Sequence, residues 1–99
     1  MRPQKLKILG RSWVVEYAKE SPSLEADEIG CSDLENQHIT VKDGMKPEQE
    51  KSTLLHEVIH AISDTLGLNL TEKEVQGLET GLFAFNRENP RFFSYLKGK

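Results

Sequence analysis

The spacing of apolar residues changes period partway along the chain. Up to Lys42 it alternates: Lys5-Leu6-Lys7-Ile8-Leu9 and Ser12-Trp13-Val14-Val15-Glu16-Tyr17 read as two short strands or one bent strand, with Gly10-Arg11 at the turn or bulge. Ser21-Pro22-Ser23 breaks the chain, Ala26 to Cys31 gives a weaker strand, and Gln37 to Lys42 alternates well before stopping at Asp43-Gly44. These pieces predict a small antiparallel sheet. From Pro47 onward the period is helical. Leu55, Val58, Ile59, Ile62 and Leu66 recur every three or four residues and form one stripe that would face a core. Pro47, Glu48 and Glu50 suit the first turn of that helix, and Gly67 suits its end. Thr71-Glu72-Lys73-Glu74 supplies a capping box for a second helix, whose residues Val75, Leu78, Leu82 and Phe85 make another stripe. Asn89-Pro90 interrupts it, Arg91 to Leu96 can add a last short helix, and Lys97-Gly98-Lys99 is expected to fray. The reading is an α+β fold, a small antiparallel N-terminal sheet packed on two C-terminal helices. It forms one domain over 1–99: sheet about 5–42, first helix about 47–66, second about 72–86, tail 87–99.

Length and composition narrow the function classes. Ninety-nine residues suffice for one core. A formal net charge of −3 gives no basic excess to draw nucleic acid, so no nucleic-acid partner is expected. No apolar run approaches the roughly eighteen residues of a membrane span, and the N-terminus carries no continuous apolar segment of the signal-peptide kind, so no membrane association is expected. One cysteine, Cys31, excludes an internal disulfide framework and agrees with a reducing cytoplasm; it reads better as a half-buried strand residue than as a nucleophile.

Against that ordinary background, two of the three histidines fall in one pentapeptide, His56-Glu57-Val58-Ile59-His60, within the first helix. This is the HExxH pattern of zinc peptidases. Residues four apart share a helical face, so both imidazoles can reach one Zn²⁺ at roughly 2.0–2.1 Å. Glu57, about 100° round the helix, can contact a water at the metal without itself ligating, as a general base must. Both histidines flank the apolar stripe, at the core edge. Without a metal they would be two core-edge histidines hydrogen-bonded to nearby groups.

A zinc site needs a third protein ligand. Glu79 is the first choice, because it borders the apolar stripe of the second helix, where an ionised carboxylate requires a partner. Glu72 is the alternative third ligand, discounted because acids in a first helical turn are favoured by the helix dipole alone. Asp64, His38 or no third ligand complete the options. Asp64, one turn after His60, can also accept the distal N–H of that imidazole from a second layer, or simply face solvent. His38 reads as an exposed strand residue that can still line the cleft. Trp13, Phe83, Phe85, Phe92 and Phe93 read as core and core-edge aromatics. Tyr17 and Tyr95 are candidate donors to an oxyanion, with no spacing that selects either.

His56-Glu57-Val58-Ile59-His60 on one helix, followed by Glu79-Thr80-Gly81-Leu82-Phe83-Ala84 on the next, resembles the minimal zincin arrangement of ImmA/IrrE-like metallopeptidases, whose second motif commonly reads E-A-N-x-F-A. The resemblance covers roughly residues 26 to 90. It implies His56 and His60 as metal ligands, Glu57 as general base, Glu79 as third ligand, and a strand within 30–42 lying beside the cleft. The chain departs from that pattern in a short His60-to-Glu79 interval, in Thr80 and Gly81, and in lacking a helix-turn-helix. Its size and the Leu55-to-Ile62 run are also similar to small zincin-like proteins of phages and prophages, which implies a host-cell cytoplasm.

The expected activity is zinc-dependent hydrolysis of a peptide or protein substrate, with Glu57 moving the proton from water to the leaving amine. Substrate would lie extended along an edge strand, for which Ile39 to Lys42 is the candidate. The alternatives are a catalytically inactive zincin-like phage or prophage interaction module, with or without structural metal and with a host or phage protein as partner, and a metal-free adaptor in which Glu79 pairs with a Lys or Arg.

Overall fold

The computed structural model describes residues 2–19 and 28–98. It is an α+β arrangement, a four-stranded N-terminal sheet followed by helices. Strands β1 (Lys5–Ile8) and β2 (Arg11–Ala18) form an antiparallel hairpin. Its two-residue turn places Leu9 at φ 52 and Gly10 at φ 84, both left-handed, which suits the right-handed twist of the flanking strands. Strands β3 (Gly30–Asp33) and β4 (His38–Lys42) form a second antiparallel pair. The Ser21-Pro22-Ser23 break and the first part of the expected Ala26–Cys31 strand lie outside the described residues; the strand observed there begins at Gly30.

The sheet is mixed, which corrects the all-antiparallel expectation. Its order is β1-β2-β4-β3, and β2 runs parallel to β4, with Val15 opposite Ile39 and Tyr17 opposite Val41. Between β2 and β4 the chain visits the outer edge as β3, so the β3–β4 hairpin delivers β4 alongside β2 in the same direction. Alternation reveals which side chains share a face, not which strand becomes the neighbour. The topology also corrects the proposed substrate strand. Ile39 to Lys42 is interior, bonded on both sides, whereas among the described residues β3 has β4 as its sole strand neighbour.

Helix α1 (Pro47–Leu66) matches its predicted bounds, with Pro47 in the first turn and Gly67 capping it at φ 67. It covers the sheet face formed by Ile8, Trp13, Val15, Ile39 and Val41, all buried, and adds its own Ala61 to that cluster; Leu54, Val58 and Ile62 pack against it. Leu66, expected in the stripe, is exposed. Ile59 of that stripe is buried as expected, and Thr53, Glu57, Ala61 and Ser63 are buried with it; β3 closes over the face that carries Thr53 and Glu57. A Cβ on Gly30 would lie 2.8 Å from Thr53 Cγ2 and 3.0 Å from Glu57 Oε2, so this approach requires glycine.

Helix α2 (Glu72–Glu88) begins at the predicted capping box. The Thr71 hydroxyl accepts from the Glu74 N–H at 3.1 Å, and Glu74 accepts from the Thr71 N–H at 2.8 Å. It runs antiparallel to α1: Glu72 meets His60, Glu79 meets Ser52, and Arg87 meets Glu48. Among the described residues the sheet packs chiefly on α1, and α2 packs on α1 as a further layer. Val75 is fully buried, but Leu78, Leu82 and Phe85 remain 44, 38 and 37% exposed, so the expected core stripe is half open. Helix α3 (Phe92–Lys97) packs edge-to-face through Phe92 and Phe93 onto Phe85. Among the described residues no helix is long and apolar enough to cross a membrane.

Candidate metal centre

His56 and His60 lie one turn apart on α1, with ring centroids 4.9 Å from each other. The short connection after Gly67 brings the start of α2 back beside them. It is pinned where the Leu70 N–H donates to the buried Ser63 Oγ at 3.1 Å and the Leu68 N–H to the Ser63 carbonyl at 2.9 Å. Glu72, the first residue of α2, consequently places Oε1 2.6 Å from His56 Nε2 and 3.2 Å from His60 Nε2. One ligand atom from each of His56, His60 and Glu72 lies within 4.8 Å of the others, and this group can hold a metal ion. Donors around a tetrahedral ion at roughly 2.0–2.1 Å stand about 3.3 Å apart, a spacing that falls between the 2.6 Å contact and the 4.8 Å outer limit of this group.

Glu79 is placed differently from its expectation as third ligand. Its Oε1 is 2.8 Å from Nδ1 of His56, the ring nitrogen turned away from Glu72, and its Oε2 accepts from the Ser52 hydroxyl. The Glu79 carboxylate at that border does have partners, an imidazole N–H and a hydroxyl. Glu72 escaped preference because its first-turn position has an electrostatic explanation of its own. Asp64 is exposed and makes no hydrogen bond to His60, and His38 sits on β4 paired with Glu16 of β2 at 3.0 Å, away from the cleft. Tyr17 donates to the Pro3 carbonyl at 2.7 Å and Tyr95 lies exposed on α3, so neither lines the centre.

Glu57 is 6% exposed, beneath Gly30. Burial pushes its carboxyl above the ordinary range, against the opposing pull of the His60 and His56 charges and the Ser32 hydroxyl. For His56, burial alone would lower the pKa, but the Glu79 hydrogen bond and the charges of Glu72 and Glu57 reverse this and hold it above its usual value. Glu72 loses a little solvent, which raises its pKa, yet the histidine contacts outweigh this and leave it lowered. The two carboxyls therefore differ in proton affinity, Glu57 raised and Glu72 lowered.

A cleft of about 490 Å³ opens onto these groups, lined by Ile29 and Gly30 on one side and by Ser52, Thr53, His56, Glu57, Glu72, Gln76 and Glu79 on the helices. Beside it runs β3. The Ile29 carbonyl accepts from the Lys42 N–H at 2.8 Å, so by the antiparallel alternation Ile29, Cys31 and Asp33 point their backbone groups at β4. Gly30 and Ser32 then direct theirs toward the outer edge. Sequence reasoning missed Ser52, Thr53 and Gly30. Ser52 carried a usable signal, since it precedes His56 by one turn, whereas the Gly30 contact depends on a long-range strand–helix approach.

Comparison of the chain with family models, curated proteins and solved structures finds no match.

Proposed function

We propose that this chain is a zinc-dependent peptidase of minimal zincin type. The observation that carries the reading is the convergence of His56 Nε2, His60 Nε2 and Glu72 Oε1, with the buried carboxyl of Glu57 on the same helix. Two imidazoles and one carboxylate suit Zn²⁺, and three protein ligands leave a position free for water or substrate. Bound there, zinc supplies Lewis acidity that lowers the pKa of water toward about 7 and polarises a substrate carbonyl.

The remaining work falls to the chain's own groups. Glu57, with its raised proton affinity, takes a proton from water and returns it to the departing amine. Glu72 acts as third ligand in place of Glu79, and Glu79 holds the rear nitrogen of His56. An extended peptide pairs with the outward N–H and C=O groups of Gly30 and Ser32 on β3.

A Glu57→Gln variant tests this reading. It keeps zinc and loses hydrolysis of unfolded casein, while the zinc-loaded wild type retains it; equal activity in the two refutes the base. One observation favours the second reading, an inactive zincin-like module that binds a phage or host protein: the described residues lining the cleft include no tyrosine or arginine to assist an oxyanion. Zinc binding without hydrolysis in the wild type selects that reading.

A further inference from the structure

The two imidazoles are not supported alike. Nδ1 of His56 is 2.8 Å from Glu79 Oε1, and the other oxygen of that carboxylate accepts from the hydroxyl of Ser52, one turn before His56 on α1. Among the described residues, Nδ1 of His60 has no corresponding partner. The Glu79 side chain is 13% exposed, against 67% for Glu72, so it is withdrawn from the water that could compete for its oxygens.

We propose that Ser52 is a positioning residue for the metal centre, acting on His56 through Glu79. The inference rests on the metal-site reading above. With Oε2 held by Ser52, the Glu79 carboxylate cannot turn freely about its terminal bond, and Oε1 stays in the plane where it accepts the Nδ1–H of His56. That keeps a proton on Nδ1, so that when an ion displaces the Nε2 proton now directed at Glu72 Oε1, Nε2 is the nitrogen left to ligate, with its basicity raised by Glu79 behind it. His56 is thus oriented before the ion arrives, whereas His60 is oriented by the ion and Glu72. Ser52 also bridges α1 to α2, and a purely structural tie between the helices is the rival role.

Zinc affinity by competition with a chromophoric chelator, the melting temperature of the metal-free protein, and long-range ¹H–¹⁵N spectra of the zinc-loaded imidazoles separate the two. In Ser52→Ala, zinc affinity falls about tenfold to a hundredfold. The melting temperature changes little, and the His56 Nδ1–H signal weakens through exchange while His60 is unaffected. Ser52→Thr restores affinity and signal. Wild-type zinc affinity in Ser52→Ala overturns the proposal, as does a loss of affinity matched by a loss of metal-free stability that threonine fails to repair. A wild type that binds no zinc overturns the metal centre itself and this role with it; zinc bound normally by the wild type with no effect of Ser52→Ala removes only the role of Ser52.

Discussion

Oε1 of Glu72 lies 2.6 Å from Nε2 of His56, joining the first residue of α2 to the middle of α1. Glu79 holds the opposite nitrogen of the same ring at 2.8 Å. One imidazole therefore sits between two glutamates, Glu72 on the side shared with His60 and Glu79 on the side shared with Ser52.

Substitution of these two acids should give unequal losses. Glu72→Ala removes a ligand and leaves two imidazoles, so zinc affinity should fall well beyond the roughly tenfold to hundredfold expected when Glu79→Ala removes an orienting partner. Chelator competition measures both. A larger loss in Glu79→Ala would restore Glu79 as the ligand.

Gly30 predicts a repairable steric defect. A methyl group there meets Thr53 Cγ2 at 2.8 Å and Glu57 at 3.0 Å, so Gly30→Ala should destabilise the fold by about 1–3 kcal/mol in urea melts. Thr53→Ser removes the nearer obstruction, and the double variant should recover part of the loss. Strict additivity of the two changes would show that β3 and α1 do not meet as described.

The buried base predicts a pH dependence in the metal-free protein. Burial raises the Glu57 pKa above its ordinary 4.5, so between that value and its folded pKa the native state binds more protons than the unfolded chain. Stability from this group is complete below 4.5 and is lost as pH rises through the folded pKa. Glu57→Gln escapes the loss. With chelator present, the margin by which the variant melts above the wild type should widen as pH rises from 4.5 through the folded pKa of Glu57; a margin that narrows contradicts the assigned burial.

Metal removal should loosen the C-terminal helices first. Val75 is the buried residue of α2 and α3 has none, so the contacts of Glu72 and Glu79 carry much of the attachment to α1. Zinc at a hundredfold excess over its Kd contributes about 2.7 kcal/mol, and each kcal/mol is worth about 4–8 °C in a domain this small. Chelation should lower Tm accordingly and deprotect amides in 72–97 before those of β2 and β4. Uniform deprotection would show no such coupling.

Local chemistry was legible where it acts locally. Pro47, Gly67 and the Thr71/Glu74 box delimit the helices from neighbouring residues alone, and HExxH needs only one helix to bring its histidines together. The parallel β2–β4 pairing, the Gly30 approach and the choice between Glu72 and Glu79 each depend on elements distant in sequence. For Glu79, border placement required partners without naming them. For Glu72, a sufficient local reason to be acidic hid the nonlocal one. The half-open Leu78, Leu82 and Phe85 stripe shows the same limit, since periodicity identifies an apolar face but not how much of it a neighbour covers.

Diffraction from zinc-soaked crystals above and below the zinc absorption edge locates any ion held between α1 and α2. With Glu72 as third ligand, one anomalous peak per chain is expected, at roughly 2.0–2.2 Å from Nε2 of His56, Nε2 of His60 and a carboxylate oxygen of Glu72, with Glu79 remaining on Nδ1 of His56. The absence of a peak there, or a peak ligated by Glu79 in place of Glu72, would contradict that ligand set.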